Sequence, residues 1–240
     1  MIVVFFKKPN ESILNIMLGF SAGVMIAASF WSLLQPAIER ANNILTIPSY
    51  IIVTMGFLTG AIFIWISDKA VSAAILKTNL TKSNGFKRVI MLVLSITTHN
   101  IPEGFAVGVA FGLLKDNNNI NTLMSAISIA IGIGLQNLPE GAAVSLPLKR
   151  EGYSRKKSFF YGQLSAVVEP ITAVIGAALV STIEIILPFA LSFAAGAMII
   201  VAVHELIPEC QKNKSEQPYT ATAGIIFGFA IMMLLDVMLG

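Results

Sequence analysis

The chain has 240 residues, 55% hydrophobic and only 12% charged, with one cysteine and a formal net charge of +3. Soluble chains carry about 25% charged residues, so this composition excludes a soluble enzyme, a nucleic-acid-binding domain and a disulfide-stapled secreted domain. It reads as a polytopic membrane protein, in which the positive balance is loop charge that orients the helices.

Seven apolar runs are long enough to cross a bilayer, at 12–35, 48–67, 88–114, 121–148, 158–181, 185–207 and 219–239. All are expected to be α-helical, because backbone in lipid must satisfy its own hydrogen bonds. Their apolar character is continuous rather than alternating, which argues against a β-barrel. The first run ends at Gln35 and Glu39, and Asp68 follows the second. The third contains His99, Asn100 and Glu103; the fourth contains Gln136, Asn137 and Glu140. Glu169 and Pro170 sit mid-run in the fifth, His204 and Glu205 close the sixth, and Asp236 closes the seventh. Glycines recur four apart, as in Gly19/Gly23, Gly56/Gly60 and Gly224/Gly228. That spacing lays small residues on one helix face for close packing and carries no chemistry.

All of the 16 Lys and Arg except Arg40 and Lys115 fall on one side of this arrangement. That side, with loops 68–87, 149–157 and 208–218, is therefore cytoplasmic, and the C-terminus is expected outside the plasma membrane. Gln35 and Glu39 then mark an outer mouth, and His204 and Glu205 an inner one. Acidic groups at both mouths would concentrate cations.

Two internal repeats are legible. Phe20, Gly23, Met25 and Leu33 of the first run match Phe193, Gly196, Met198 and Leu206 of the sixth. Gly56, Gly60 and Asp68 of the second match Gly224, Gly228 and Asp236 of the seventh. An odd number of spans separates the copies, so the two units have inverted topology, the arrangement of secondary transporters with a midplane site. Between them, His99-Asn100-Ile101-Pro102-Glu103-Gly104 matches Gln136-Asn137-Leu138-Pro139-Glu140-Gly141. These adjacent, antiparallel spans form a central pair that carries the polar residues.

His99 and Glu103 are one turn apart on one helix face, as are Gln136 and Glu140. Pro102 and Pro139 free the carbonyls of Thr98 and Leu135 and are expected to kink their helices. Carboxylates at this depth are expensive and cluster where they face an ion pathway. With no Lys or Arg at the same depth, the compensating charge must be protons or a metal cation. A mixed imidazole, carboxylate and amide set suits a borderline divalent ion: zinc first, with iron(II), manganese and cadmium also admitted.

The HNIPEG and QNLPEG segments, with Glu169-Pro170 and His204-Glu205-Leu206-Ile207-Pro208-Glu209, resemble the ZIP family of metal transporters, in particular its bacterial GufA-type branch. The resemblance covers essentially the whole chain. It implies an eight-helix fold with a binuclear metal site at the midplane. His99, Glu103, Gln136 and Glu140 would make one metal position. Asn100, Asn137 and Glu169 would make the second, with Glu103 and Glu140 bridging. The family often has histidine where this chain has Gln136, and aspartate where it has Asn137. The resemblance also implies a homodimer and a sixth run that lines the inner half of the pathway.

The expected function is divalent transition-metal transport into the cytoplasm, with the ion as substrate and no resident cofactor. The chain contains no phosphate-binding G-x-x-x-x-G-K-[ST] loop to couple ATP. The alternatives are an intramembrane metalloprotease, which lacks its H-E-x-x-H motif here, and a neutral-solute channel, which buried glutamates would impede. The repeat leaves the fifth run without a complete partner. Its expected place falls on and before residues 1–8, where Ile2–Phe6 reads as the cytoplasmic end of a truncated first helix.

Overall fold

The computed structural model describes residues 11–77, 84–115, 119–150, 152–182, 184–211 and 219–239. Among them there is no strand, and helices account for nearly every position. The stub Ile2–Phe6 lies outside the described residues. Six helical stretches are long and apolar enough to cross a membrane: Ser12–Ile44, Ser49–Ala73, Ile120–Leu146, Arg155–Val180, Leu187–Cys210 and Thr220–Leu239. The helix of the third span, Asn84–Gly112, has 29 residues, more than the roughly 20 a crossing needs.

The helices overrun the apolar runs. The second span continues to Lys77 and the fourth to Arg150, into segments expected as loops. A charge ends the hydrophobic run without interrupting the backbone ladder. Lys69 illustrates the transition, its ammonium lying 3.9 Å from the centre of the Trp65 ring while its stem climbs toward the interface.

The third and fourth helices run unbroken through Pro102 and Pro139. The break falls in the fifth span, where Arg155–Ser165 gives way to Val168–Thr182. There Ala166, Val167 and Glu169 donate to carbonyls only three residues back. This tight turn places Glu169 and Pro170 in the first turn of the second half-helix, where a missing N–H is harmless.

The first and sixth spans each widen into a π-helical turn, Ser29–Leu34 and Ala202–Leu206. In the register that pairs Gly23 with Gly196, these turns coincide. Each is closed by an N–H bonding five residues back, Gln35 to Phe30 and Ile207 to Ala202. Each precedes a proline, Pro36 or Pro208, whose ring would otherwise press on the carbonyl four residues earlier.

Packing follows the same symmetry. The first span lies along the seventh, the second along the sixth and the third along the fifth. Side chains at Gly224 and Gly228 would strike the backbone of Ile16 and Phe20, while Gly56 and Gly60 face Phe189 and Phe193 in the same way. Those four contacts are two contacts, each seen twice in the repeat register. The first and seventh spans and the second and sixth spans are thus sealed by one glycine arrangement used twice.

Gly60→Val and Gly228→Val should each destabilise the protein by about 1–3 kcal/mol through overpacking, read as a lowered melting temperature in detergent. Gly134→Ala, whose added Cβ meets nothing within 4 Å, should melt at or slightly above wild type.

Candidate metal centre

The third and fourth spans pack against each other at the middle of the bundle, flanked by the fifth span and the first. His99, Asn100, Glu103, Gln136 and Glu140 are all buried, with Glu103 and Gln136 wholly inaccessible. Four hydrogen bonds tie the cluster together. Gln136 Nε2 donates to Glu103 Oε1 at 2.5 Å, and Asn137 Nδ2 donates to Glu169 Oε2 at 2.6 Å. Ser21 Oγ donates to Glu140 Oε1 at 2.6 Å. Asn100 Nδ2 donates to the Ser165 carbonyl at 3.1 Å, one of those released by the break in the fifth span. Glu140 and Glu169 lie near enough to Glu103 for their charges to act on it.

The amide donors are thereby used and the acceptors left over. Asn100 Oδ1, Glu103 Oε2, Gln136 Oε1, Asn137 Oδ1 and Glu169 Oε1 are buried without a hydrogen-bond partner. An unpaired buried oxygen costs its full desolvation, more when charged. Five such oxygens, on three neighbouring spans, are hard donors of the type that divalent cations take.

His99 does not join Glu103 in this arrangement. Its Nε2 lies 2.8 Å from Glu205 Oε1 and 3.7 Å from Asp68 Oδ1. Ligand atoms of Asp68, His99 and Glu205 all fall within 4.8 Å of one another, a second cluster with metal-ligand geometry. Glu205 is therefore drawn to the centre, whereas His204, its neighbour, is exposed. Glu205 is delivered by the π-helical turn, which shifts the face a side chain occupies.

The repeat register produces a counterpart on the opposite side of the central pair. Asp68 corresponds to Asp236 and Glu205 to Ser32. Asp236 Oδ1 accepts from Ser32 Oγ at 2.7 Å and from Ser128 Oγ at 2.9 Å, while Oδ2 is buried and unpartnered. Gln35 and Glu39 are exposed and bonded to each other at 3.2 Å. Sequence reasoning missed Ser21, Ser32 and Ser128, because a serine in an apolar helix ordinarily bonds its own backbone. The only signal was the matching of Asp68 with Asp236.

These features define a multi-pass helical membrane protein with a buried polar centre. The profile described as ZIP Zinc transporter matches residues 77–236. Zinc transporter ZIP11 of Xenopus tropicalis is 36% identical over 312 residues, covering 100% of this chain and 92% of that protein. Zinc transporter ZIPB of Bordetella bronchiseptica is 35% identical over 238 residues, 93% of this chain and 71% of that protein. Zinc transporter GufA of Myxococcus xanthus is 36% identical over 151 residues, 63% and 56% of the two chains. The chain belongs to the ZIP zinc transporter family. These relatives are named as transporters, not as enzymes.

Removing both donors to Asp236, with Ser32→Ala and Ser128→Ala together, should lower stability by about 3–6 kcal/mol, since each bond to a charged group contributes about 1.5–3 kcal/mol. Adding Asp236→Ala to that double variant should recover much of the loss. Thermal unfolding of the series checks both.

Proposed function

We propose that this protein carries divalent transition-metal ions, zinc first, across the plasma membrane into the cytoplasm through a binuclear midplane centre. The observation that supports this most is the set of five buried, unpartnered oxygens on Asn100, Glu103, Gln136, Asn137 and Glu169. A cation entering the cluster supplies the missing charge and the missing contacts at once. The relatives' names as zinc transporters support zinc as the cargo.

In this reading Glu103, Gln136 and Glu140 hold one ion, with His99 when it turns inward. Asn100, Asn137 and Glu169 hold the second, and the two glutamates of the central pair serve both. An ion leaving toward the cytoplasm meets Asp68, His99 and Glu205 next, since His99 is common to both clusters. The counterpart at Asp236 receives ions from outside. Iron(II), manganese and cadmium are admitted by the same ligands. The membrane potential is a sufficient driving force: two charges crossing about 100 mV gain roughly 4.6 kcal/mol.

The test is radiolabelled zinc uptake into proteoliposomes, with manganese, iron(II) and cadmium as competitors. Glu103→Ala and Glu140→Ala should each reduce uptake to the level of empty liposomes while the protein still purifies as a monodisperse species. Normal uptake by either variant would remove the centre from the pathway. Gln136→His should keep transport and shift competition toward zinc over manganese, because imidazole replaces a neutral amide oxygen. An unchanged order of competitors would place Gln136 outside the ion's contacts.

A further inference from the structure

Ser21 belongs to none of the polar motifs, yet it touches the centre. The first span presents Leu14, Met17, Ser21 and Val24 along one face, at spacings of three and four. Leu14 and Met17 pack against Ala142 and Leu146 of the fourth span, and Val24 lies beside Gly132. Ser21 is the one hydroxyl on that face and is wholly buried. Its Oγ is 2.6 Å from Glu140 Oε1 and 3.4 Å from the Gln136 carbonyl. With a single proton it donates to the carboxylate, the nearer and charged acceptor. Behind it, Gly19 and Gly23 meet the backbone of Ala221 and Ile225, so the helix carrying Ser21 has no room to retreat.

The repeat sharpens the point. The register that pairs Gly23 with Gly196 pairs Ser21 with Ala194, which is also fully buried. Glu140 pairs with Glu103, and Glu103 takes its proton donor from Gln136. The two glutamates are equivalent by symmetry but are held from different places, Glu103 by the opposite helix of the central pair and Glu140 by the first span.

We propose that Ser21 is a positioning residue for the transported ion: its hydroxyl holds one oxygen of Glu140, leaves the other for the metal, and so sets the affinity of uptake. This rests on the reading of Glu140 as a metal ligand. If an ion also claims Oε1, the hydroxyl rotates to the Gln136 carbonyl, and no buried donor is stranded. The contact therefore yields to the ion without blocking its passage.

Saturation uptake of zinc by the full chain in proteoliposomes tests this, for wild type, Ser21→Ala and Ser21→Cys, alongside thermal unfolding of each metal-free protein. Ser21→Ala should raise KM by about ten- to a hundredfold, the range expected for one hydrogen bond to a charged group, with Vmax near wild type and a melting temperature lowered no more than by the loss of one serine bond at Asp236. Ser21→Cys, a weak donor of similar size, should raise KM severalfold and supplies the readout if the alanine variant does not fold. An unchanged KM, or a loss of Vmax or melting temperature in its place, overturns the proposal. No saturable uptake by wild type, or uptake that survives Glu140→Ala, would instead overturn the transport reading beneath it.

Discussion

Carboxylates held by neutral partners at bilayer depth are the constraint on which the rest of this structure depends. Glu103, Glu140 and Glu169 each accept one hydrogen bond, from an amide or a hydroxyl. Such bonds orient a carboxylate and steady its charge, but they do not cancel it. Oxygens of Glu103 and Glu169 remain buried and unpaired. Unpaired acceptors of this kind are costly, and the cost is tolerable only while the surrounding helices hold the cluster in place. The glycine-sealed helix pairs on either side supply that rigidity.

Inverted symmetry distributes the polar groups. One repeat element places Asp68 on one side of the centre and Asp236 on the other. One π-helical turn, used twice, delivers Glu205 inward and Ser32 outward. Each turn relieves the same clash with the proline that follows, so a single local solution to a backbone problem shapes both outlying clusters. The symmetry is one of backbone and packing, and it is broken in the side chains. Aspartate, imidazole and glutamate meet at the inner cluster, but aspartate and two hydroxyls at the outer one. Of the two, the inner cluster is the stronger metal-ligand set.

The topology, the repeats and the central motif were legible in the sequence because each depends on local pattern. Continuous apolar runs report bilayer crossing whatever their neighbours, and four-residue glycine spacing reports a packed face. Helix ends were less legible, since the charge at Asp68 and Lys69 ends a hydrophobic run but leaves the backbone ladder to Lys77 intact. The consequence of Pro102 and Pro139 likewise depends on packing. One missing N–H does not end a helix whose flanks are packed on both sides. The break went to the fifth span, where Asn100 takes up the Ser165 carbonyl.

By itself, the sequence determined that the chain is a helical membrane protein, that its units repeat in inverted order, and that His99 to Glu103 and Gln136 to Glu140 concentrate the polar groups within its spans. Only the tertiary structure decided which of those groups meet. It turned His99 toward Asp68 and Glu205, brought Ser21 to Glu140, and gathered Ser32 and Ser128 around Asp236. The physical reason is that these partners stand on different helices, far apart along the chain. Their contacts are set by how closely glycine faces let the spans approach and by how a π-helical turn rotates the residues it carries.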